Sequence, residues 1–315
     1  MVKNVTAFAL LSLLLTGCAN SDTVEIPSAA EIGFDYVFVG ADKQPVRGMV
    51  NNDNLEKFFV FGGLQDAASA SVFDNVAVSR QNGGAWTPAS VAYWEPETSY
   101  TFMAYSGESA RSLAAATSNG VELTGYTVKN AALAEQEDLL IAAPVAMTTG
   151  EDITEEKPVK LTFRHALSSV KFAFSSSFNE RVTLSISDLT IKNVAYKGDY
   201  KHDGKAFVWT PTADRADFTV GSTELIDGSA TCETPEMLLL PQTAESLTVT
   251  FKLTATGVLD IKDRVITATL PAVTFEEGRR YTFKAQVALA NIDPADTYKP
   301  LEFKVSSCHW EAYGK

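Results

Sequence analysis

Apolar residues alternate with other residues along most of the chain, which is the pattern of half-buried β-strands. The first such run lies in residues 31–40, where an apolar or aromatic side chain recurs at every second position. Further runs rich in Val, Ile, Thr, Tyr and Phe lie at 57–63, 99–106, 160–174, 183–196, 246–257, 265–273, 280–289 and 300–307. Turn-forming sequences such as Asn119-Gly120 and Asp203-Gly204 separate these runs at intervals of mostly 8 to 15 residues. This spacing predicts an all-β fold of the antiparallel β-sandwich type.

Two stretches interrupt the alternation. Residues 130–140 have the composition of a short helix, and residues 148–158 are polar and acidic. The acidic stretch is either a boundary between two domains or a long loop inside one domain. We predict the boundary, which gives two tandem domains at 18–157 and 158–315, the second ending in a tail at 291–315.

The N-terminus has the layout of a secretory signal peptide. Lys3 precedes an apolar run of about 11 residues, which is shorter than the roughly 20 that a spanning helix needs. The run ends in Leu15-Thr16-Gly17-Cys18, which resembles the lipobox of bacterial lipoproteins. This predicts removal of residues 1–17 and attachment of acyl chains, such as palmitate, to Cys18, so that the protein is held on the outer membrane. The alternative is an ordinary signal peptide with a chance cysteine.

The net charge of −13 argues against nucleic acid and anionic lipid as partners, because an acidic surface repels both. Cys232 and Cys308 remain after Cys18, and they could pair outside the cytoplasm. Their separation in sequence says nothing about their distance, and two separate buried thiols are the favoured interpretation.

Few residues suggest catalysis. His165 lies in a strand-like apolar run, His202 beside a probable hairpin turn, and His309 lacks a second Cys/His group with zinc-ligand spacing. The acidic pair Glu276-Glu277 falls in a turn-like stretch and is best interpreted as a solvated loop. We therefore predict that the protein is not an enzyme and has no metal site and no cofactor.

Several blocks in order resemble the fimbrillin family of Bacteroidales. They are AWTPASVAYWEPETSYTFMAYS at 85–106, EQEDLLIAAP at 135–144, LTFRHALSSVKF at 161–172, MLLLPQ at 237–242, FEEGRRYTFKAQV at 275–287 and LEFKVSSCHW at 301–310. The resemblance covers nearly the whole mature chain. It implies two tandem β-sandwich domains of Greek-key, transthyretin-like topology and a role as a lipoprotein subunit of surface pili (fimbriae).

The resemblance also implies a mode of assembly. In polymerising members of the family, a protease removes an N-terminal segment, typically after an arginine, and this opens a groove. The C-terminal segment of a neighbouring subunit then fills the groove, so the partners are other fimbrial subunits, and the assembled fimbria contributes to cell adhesion. Such strand addition restores backbone hydrogen bonds and fills apolar pockets.

This sequence contains three segments that could serve these steps. The run at 32–39 fits a removable strand, with Ile32, Phe34, Tyr36 and Phe38 on one face. The polar stretch behind it offers a cut site at Arg47-Gly48, although Arg80 and Arg111 also lie in polar surroundings. The donor strand would present its apolar residues on one face and end in a tryptophan: Leu301, Phe303, Val305 and Trp310.

Each segment also has a simpler interpretation. Residues 32–39 could be a permanent first strand, and 301–310 could be the last strand of their own sandwich. An alternative function is a monomeric surface lipoprotein that binds glycan or a host protein. Trp86, Tyr93 and Trp94 could form a sugar platform, but packing in the core is the commoner use of such residues. The sequence leaves open whether the subunit forms the shaft, the anchor or the tip.

Overall fold

The computed structural model describes residues 30–39, 50, 54–64, 71–80, 83–154, 158–178, 181–223, 226–227, 231–292 and 299–310, apart from the side chains of Tyr36, Phe38 and Asp227. Strands β1 to β23 are, in order, Phe34–Val39, Lys57–Leu64, Ser71–Ser79, Thr87–Pro88, Ser99–Ser106, Ala114–Thr117, Gly120–Thr127, Leu140–Thr148, Val159–His165, Ser168–Ser176, Val182–Ala195, Lys197–His202, Phe207–Pro211, Arg215–Gly221, Ile226–Asp227, Thr231–Glu233, Met237–Leu239, Gln242–Ala244, Leu247–Gly257, Ile261–Leu270, Val273–Phe275, Arg279–Val287 and Lys304–His309. Two 3₁₀ turns lie at Glu108–Ala110 and Leu133–Glu135, and a four-residue helix, α1, lies at Leu289–Ile292. The prediction of an all-β fold is confirmed.

The first half of the chain forms a seven-stranded sheet in the order β1-β9-β8-β5-β2-β3-β4. Its neighbours pair antiparallel except for β1 and β9, which run parallel. Strands β8 and β9 are hydrogen-bonded neighbours, with Leu140 opposite His165. The acidic stretch at 148–158 therefore connects two strands of one sheet, and the predicted division between 157 and 158 falls inside that sheet.

The second half forms two larger sheets, in the orders β16-β10-β22-β23 and β14-β11-β19-β20, with β17 also paired to β10 and β15 to β11. A further sheet, β13-β12-β7-β6, joins strands from both halves of the chain, and β18 pairs with β21. Tyr200 of β12 lies opposite Leu123 of β7 at this junction. The two halves are thus connected through shared strands.

The core consists of two apolar clusters, and the seven-stranded sheet lies between them. In β2, Phe58 and Val60 pack into the cluster of the first half, whereas Phe59 and Phe61 pack into the larger cluster that continues into the second half. Successive side chains of a strand point to opposite faces, so a strand covered on both faces is apolar at every position. This explains the continuous apolar run in KFFVFGG.

The predicted short helix at 130–140 is wrong, since the segment forms only the turn Leu133–Glu135 and then extends into β8. Its polar side chains bind distant parts of the backbone. Glu137 accepts hydrogen bonds from the N–H groups of Glu108 and Ser109, and Gln136 pairs with the backbone of Leu238 in both directions. These tertiary contacts override a weak local preference for helix.

The two cysteines beyond Cys18 lie at opposite edges of one sheet, and no disulfide joins them. Cys232 is in β16 and Cys308 in β23, with β10 and β22 between them. Three strand spacings of about 4.8 Å separate them by at least roughly 14 Å, whereas a disulfide needs Cα atoms within about 7 Å. The interpretation as two separate thiols is confirmed, but both side chains are half-buried and not buried as predicted.

Candidate functional site

Residues 30–39 bridge the two ends of the seven-stranded sheet. On one side, β1 pairs with β9, with Phe34 opposite Val159 and Val39 opposite Phe163. On the other side, the N–H of Ile32 donates to the carbonyl of Ala92 at 2.8 Å. Phe34 also forms a β-bridge with Trp86, which directly precedes β4. The segment therefore occupies a groove whose two walls are β9 and residues 86–94.

The floor of this groove is aromatic. The ring of Phe34 lies 5.6 Å from that of Phe58, 5.8 Å from that of Phe73 and 6.3 Å from that of Phe102, measured between centroids. Tyr100 continues the cluster, and burial raises the pKa of its hydroxyl. Without residues 30–39, these rings and the backbone groups of both walls would face water.

The predicted face of the first strand is only partly as expected. Ile32 and Phe34 are buried, but the pairing with β9 shifts between Asp35 and Phe38, as in a β-bulge. Such an irregularity changes the parity of the positions that follow it. Val39 is buried beyond the shift, at a position that simple alternation from Ile32 and Phe34 would place outward. The other two residues predicted on this face, Tyr36 and Phe38, lie outside the described side chains.

The predicted processing and lipidation sites lie outside the described residues. This applies to Cys18, Arg47 and Gly48. Val50, three residues beyond Arg47, is described, and its N–H donates to Oδ2 of Asp138 at 3.1 Å.

Residues 301–310 lie within their own subunit's fold. Strand β23 pairs antiparallel with β22 in a continuous register from Lys304 opposite Lys284 to His309 opposite Arg279. Among the described residues, no strand pairs with the other side of β23, so it is an edge strand. The donor role predicted for these residues would require β23 to leave this edge.

The predicted donor residues lie mostly on the buried side of the tail. Leu301, Phe303 and Trp310 are buried, and Val305 is half-buried. The Phe303 ring packs edge-on against the rings of Phe172 and Phe174, with centroids 5.6 and 5.8 Å apart. The alternation that predicted an apolar face is thus present in the folded subunit.

Trp310 lies in a pocket formed by aromatic, cationic and backbone groups. Its ring stacks on that of His165, with centroids 3.9 Å apart and planes inclined by 6°. The guanidinium of Arg280 lies 5.4 Å from the same ring centroid, in cation–π geometry. The N–H of Trp310 donates to the carbonyl of Gly278 at 2.7 Å. Gly278 has a φ of 66°, in the left-handed region that favours glycine, as expected for a residue in a turn.

A buried polar pair supports this pocket. Nδ1 of His165 lies 2.9 Å from Oδ2 of Asp138, and both side chains are almost completely buried. The interpretation of His165 as a core residue is confirmed, but the sequence did not reveal its partners. His165 ends β9, Asp138 lies two residues before β8, and Trp310 follows β23, so only tertiary structure brings them together.

The aromatic residues considered for a sugar platform do not share a surface. Trp86 and Trp94 are buried in the first cluster, whereas Tyr93 is exposed. The interpretation of the two tryptophans as core residues is therefore confirmed.

The described residues provide neither a cluster of metal-binding side chains nor a membrane-spanning helix. Within the described residues, no three His, Cys, Asp or Glu side chains converge on a position that could hold a metal ion. No helix in the same part of the chain is long and apolar enough to cross a bilayer.

Comparison with known proteins gives a family match over most of the chain. The sequence model described as fimbrillin-like matches residues 46–297. No curated protein matches by sequence.

Solved structures share the fold at low sequence identity. A fimbrial protein from Bacteroides vulgatus ATCC 8482 aligns over 89% of this chain and 99% of its own, with 13% identity and a TM-score of 0.60. A candidate cell adhesion protein from Bacteroides uniformis ATCC 8492 aligns over 89% and 98%, with 17% identity and a TM-score of 0.55. A candidate cell adhesion protein from Bacteroides ovatus ATCC 8483 aligns over 90% and 97%, with 14% identity and a TM-score of 0.54.

Proposed function

Because the chain belongs to the fimbrillin-like family, we propose that it is a structural subunit of a cell-surface fimbria that assembles by β-strand exchange. In this proposal, residues up to Arg47 are removed and the groove under residues 30–39 is opened. The tail of a second copy, or of another fimbrial subunit, then enters the groove. The assembled fimbria contributes to adhesion.

The observation that carries the proposal is the position of residues 30–39. The segment forms backbone hydrogen bonds on both sides, to β9 on one and to residues 86–94 on the other, and it covers a floor of buried rings. Its removal would leave the N–H groups of Val159 and Trp94 without their acceptors, the carbonyls of Gly33 and Ala30. An extended peptide can replace both the hydrogen-bond partners of the backbone and the apolar side chains that cover the floor. Strand addition works in this way.

The tail has the apolar spacing that the groove requires. Ile32 and Phe34 fill the groove at two-residue spacing, and Leu301 and Phe303 repeat an aliphatic residue followed by phenylalanine at the same spacing. We propose that Leu301 and Phe303 of one subunit replace Ile32 and Phe34 of the next. Val305 and Trp310 would complete the donor.

Arg80 and Arg111, the other two arginines considered, are less suitable than Arg47 as protease cut sites. Arg80 donates through Nε to the carbonyl of Leu55 at 2.9 Å and lies over the ring of Trp86. The guanidinium of Arg111 lies 4.8 Å from the ring centroid of Phe59. A protease needs an extended and accessible backbone. Arg111 is exposed but has helical backbone angles at the end of the 3₁₀ turn, and Arg80 is half-buried.

Lipidation at Cys18 and export to the outer membrane complete the proposal. A subunit cut after Arg47 would lose the lipid and join the shaft, whereas an uncut subunit would remain anchored. Both forms are compatible with the same groove, so processing would decide between the two roles.

The test is assembly by the full-length exported protein and by a variant lacking residues 301–315. We expect ladders of oligomers that resist mild SDS for the full-length protein after treatment with an arginine-specific protease. The deletion variant should be cut equally well and give no ladder. A conservative control is Lys304→Arg, which changes the exposed side of β23 and should form ladders normally.

Mass spectrometry of surface material completes the test. A mature N-terminus at Gly48 in the oligomers supports processing after Arg47, and acyl chains on Cys18 support the lipoprotein assignment. Ladders formed equally well by the deletion variant would overturn the donor assignment.

A further inference from the structure

A buried connection joins the tail to Val50, which follows the N-terminal segment that the proposed processing removes. We infer that Asp138 and His165 are positioning residues that hold Trp310, and with it the tail, in the subunit's own fold while Val50 is in place. The inference rests on the proposed function, because it explains how a subunit would keep its tail until its N-terminal segment is released.

The first link is between the tail and His165. The ring of Trp310 contacts the imidazole of His165, with centroids 3.9 Å apart, and its centroid lies 5.4 Å from the guanidinium of Arg280. Arg280 is itself oriented by Glu236, whose Oε2 lies 3.5 Å from its Nε and accepts a hydrogen bond from Ser169. A flat stack with planes at 6° depends on the orientation of the imidazole. A group that fixes the imidazole therefore fixes the tryptophan.

The second link is between His165 and Asp138. The two polar atoms are 2.9 Å apart in a nearly dry environment. In the described part of the chain, Oδ1 of Asp138 has no hydrogen-bond partner, so Oδ2 carries the contacts of this carboxyl group. Its two contacts are Nδ1 of His165 and the N–H of Val50, the latter at 3.1 Å.

The third link is therefore the backbone of Val50. If the chain before residue 50 is released and Val50 withdraws, the carboxyl group loses one of its two partners. A buried polar group left short of partners is unfavourable, and it relaxes by turning or by admitting water. Either change removes the constraint on the His165 ring and weakens its stack with Trp310.

The coupling is reciprocal. If Val50 in place favours the docked tail, the docked tail favours Val50 in place by the same free energy. An uncut subunit would thus hold both ends closed, and processing would loosen both. This arrangement would limit strand exchange before processing.

The experiment measures hydrogen exchange of the β23 amides in full-length, uncut protein. Val50→Pro removes the N–H donor, and Val50→Ala is the matched control that shortens the side chain but keeps the donor. We expect Val50→Pro to speed exchange at 304–309 by about tenfold, the effect of one lost hydrogen bond to a buried polar group. Val50→Ala should leave exchange nearly unchanged.

A second pair of variants tests whether the effect passes through His165. His165→Phe keeps a flat ring beneath Trp310 but removes the contact with Asp138. In this background, exchange at 304–309 should already be fast, and adding Val50→Pro should change it less than twofold. Exchange in β10, at 168–176, should stay slow in every variant. Loss of tail positioning speeds exchange in β23 alone, whereas general loosening of the sheet would also speed exchange in β10.

Several outcomes would overturn the inference. Equal effects of Val50→Pro in the native and His165→Phe backgrounds would show that the two positions act independently. Faster exchange in β10 as well as β23 would indicate a purely structural role. If Val50→Pro does not fold, Asp138→Ala removes the acceptor instead, and unchanged tail exchange in that variant would likewise refute the coupling.

These readouts are separate from those of the proposed function. Exchange is measured on the monomer and does not depend on ladders. Coupling without ladders would contradict strand exchange alone, and ladders without coupling would contradict only the positioning role.

Discussion

Replacing Phe34 by alanine tests how strongly the first segment is held in its groove. The side chain is 5% exposed and contacts three buried rings, and truncation of such a phenylalanine typically destabilises a protein by about 3–5 kcal/mol. The measured loss has an upper limit here. In the proposed mechanism, residues 30–39 detach while the rest of the fold stays intact, so the global free energy of unfolding should fall by no more than the free energy that docks the segment.

Two assays separate these contributions. Urea unfolding of the uncut protein gives the global loss, and hydrogen exchange at 34–39 gives the local opening. We expect a global loss of up to about 3–5 kcal/mol together with exchange at 34–39 that is faster by at least about tenfold. Because a detached segment opens the groove without proteolysis, the variant should also form SDS-resistant ladders when left uncut.

The matched control is Glu31→Ala, which shortens an exposed side chain in the same segment. Its effect should stay within about 0.5 kcal/mol. The reasoning is refuted if Phe34→Ala and Glu31→Ala behave alike, or if Phe34→Ala unfolds the whole molecule without faster exchange confined to the segment.

Three further predictions concern packing, titration and thiols. Gly62→Ala should destabilise the protein by about 1–3 kcal/mol in urea unfolding, because the new Cβ would lie 2.8 Å from a ring carbon of a buried phenylalanine. The control Gly33→Ala should have little effect, because no heavy atom lies within 4 Å of its new Cβ. Burial raises the pKa of Glu277, so the contribution of this side chain to stability is present at low pH and is lost as the pH rises through the folded pKa. Glu277→Gln should therefore gain stability relative to the native protein as the pH is raised from about 4 to about 7. Thermal unfolding of both proteins at the two pH values measures this gain, and a stability difference that does not change with pH would contradict the prediction. Reduction should leave the mobility of the mature protein on a denaturing gel unchanged, since Cys232 and Cys308 lie at opposite edges of a sheet; a shift would contradict this placement.

The strands could be predicted from sequence because their burial is local in origin. In β9, with the burial pattern of strict alternation from Val159 to His165, one face is buried and the other exposed, and the sequence shows the same period. The turn at Asp203-Gly204 was equally visible, because its glycine adopts a φ of 96° that other residues avoid. Residues 130–140 were misassigned, since their side chains serve distant backbone groups.

The way the sheets share strands could not be predicted. Pairing of β7 with β12 joins residues 70 or more positions apart, as in the hydrogen bond from the N–H of Gly125 to Asp199. Alternation shows that a strand has a buried face but does not identify its neighbour. For the same reason, the acidic stretch at 148–158 indicated either a boundary or a loop, and the sequence did not reveal that the strands on its two sides, β8 and β9, pair with each other.

The candidate site was predictable in its segments and not in its connections. Apolar spacing identified 32–39 and 301–310, but it did not reveal the irregular pairing between Asp35 and Phe38, beyond which Val39 is buried. The pair of His165 and Asp138 carries no sequence signal, because a single histidine in an apolar strand looks the same whether or not a carboxyl group lies beside it.

The tail and the first segment pair differently with their neighbours, and this difference bears on when strand exchange would occur. The tail pairs antiparallel with β22 without interruption, whereas the first segment pairs parallel with β9 across an irregularity. Antiparallel pairing is slightly the more stable per residue, so the tail has little to gain by leaving its own sheet for an occupied groove. The drive for exchange must come from a groove that has been emptied, with its ring floor and backbone groups exposed. Removal of the first segment, more than any property of the tail, is therefore the step that should make assembly favourable.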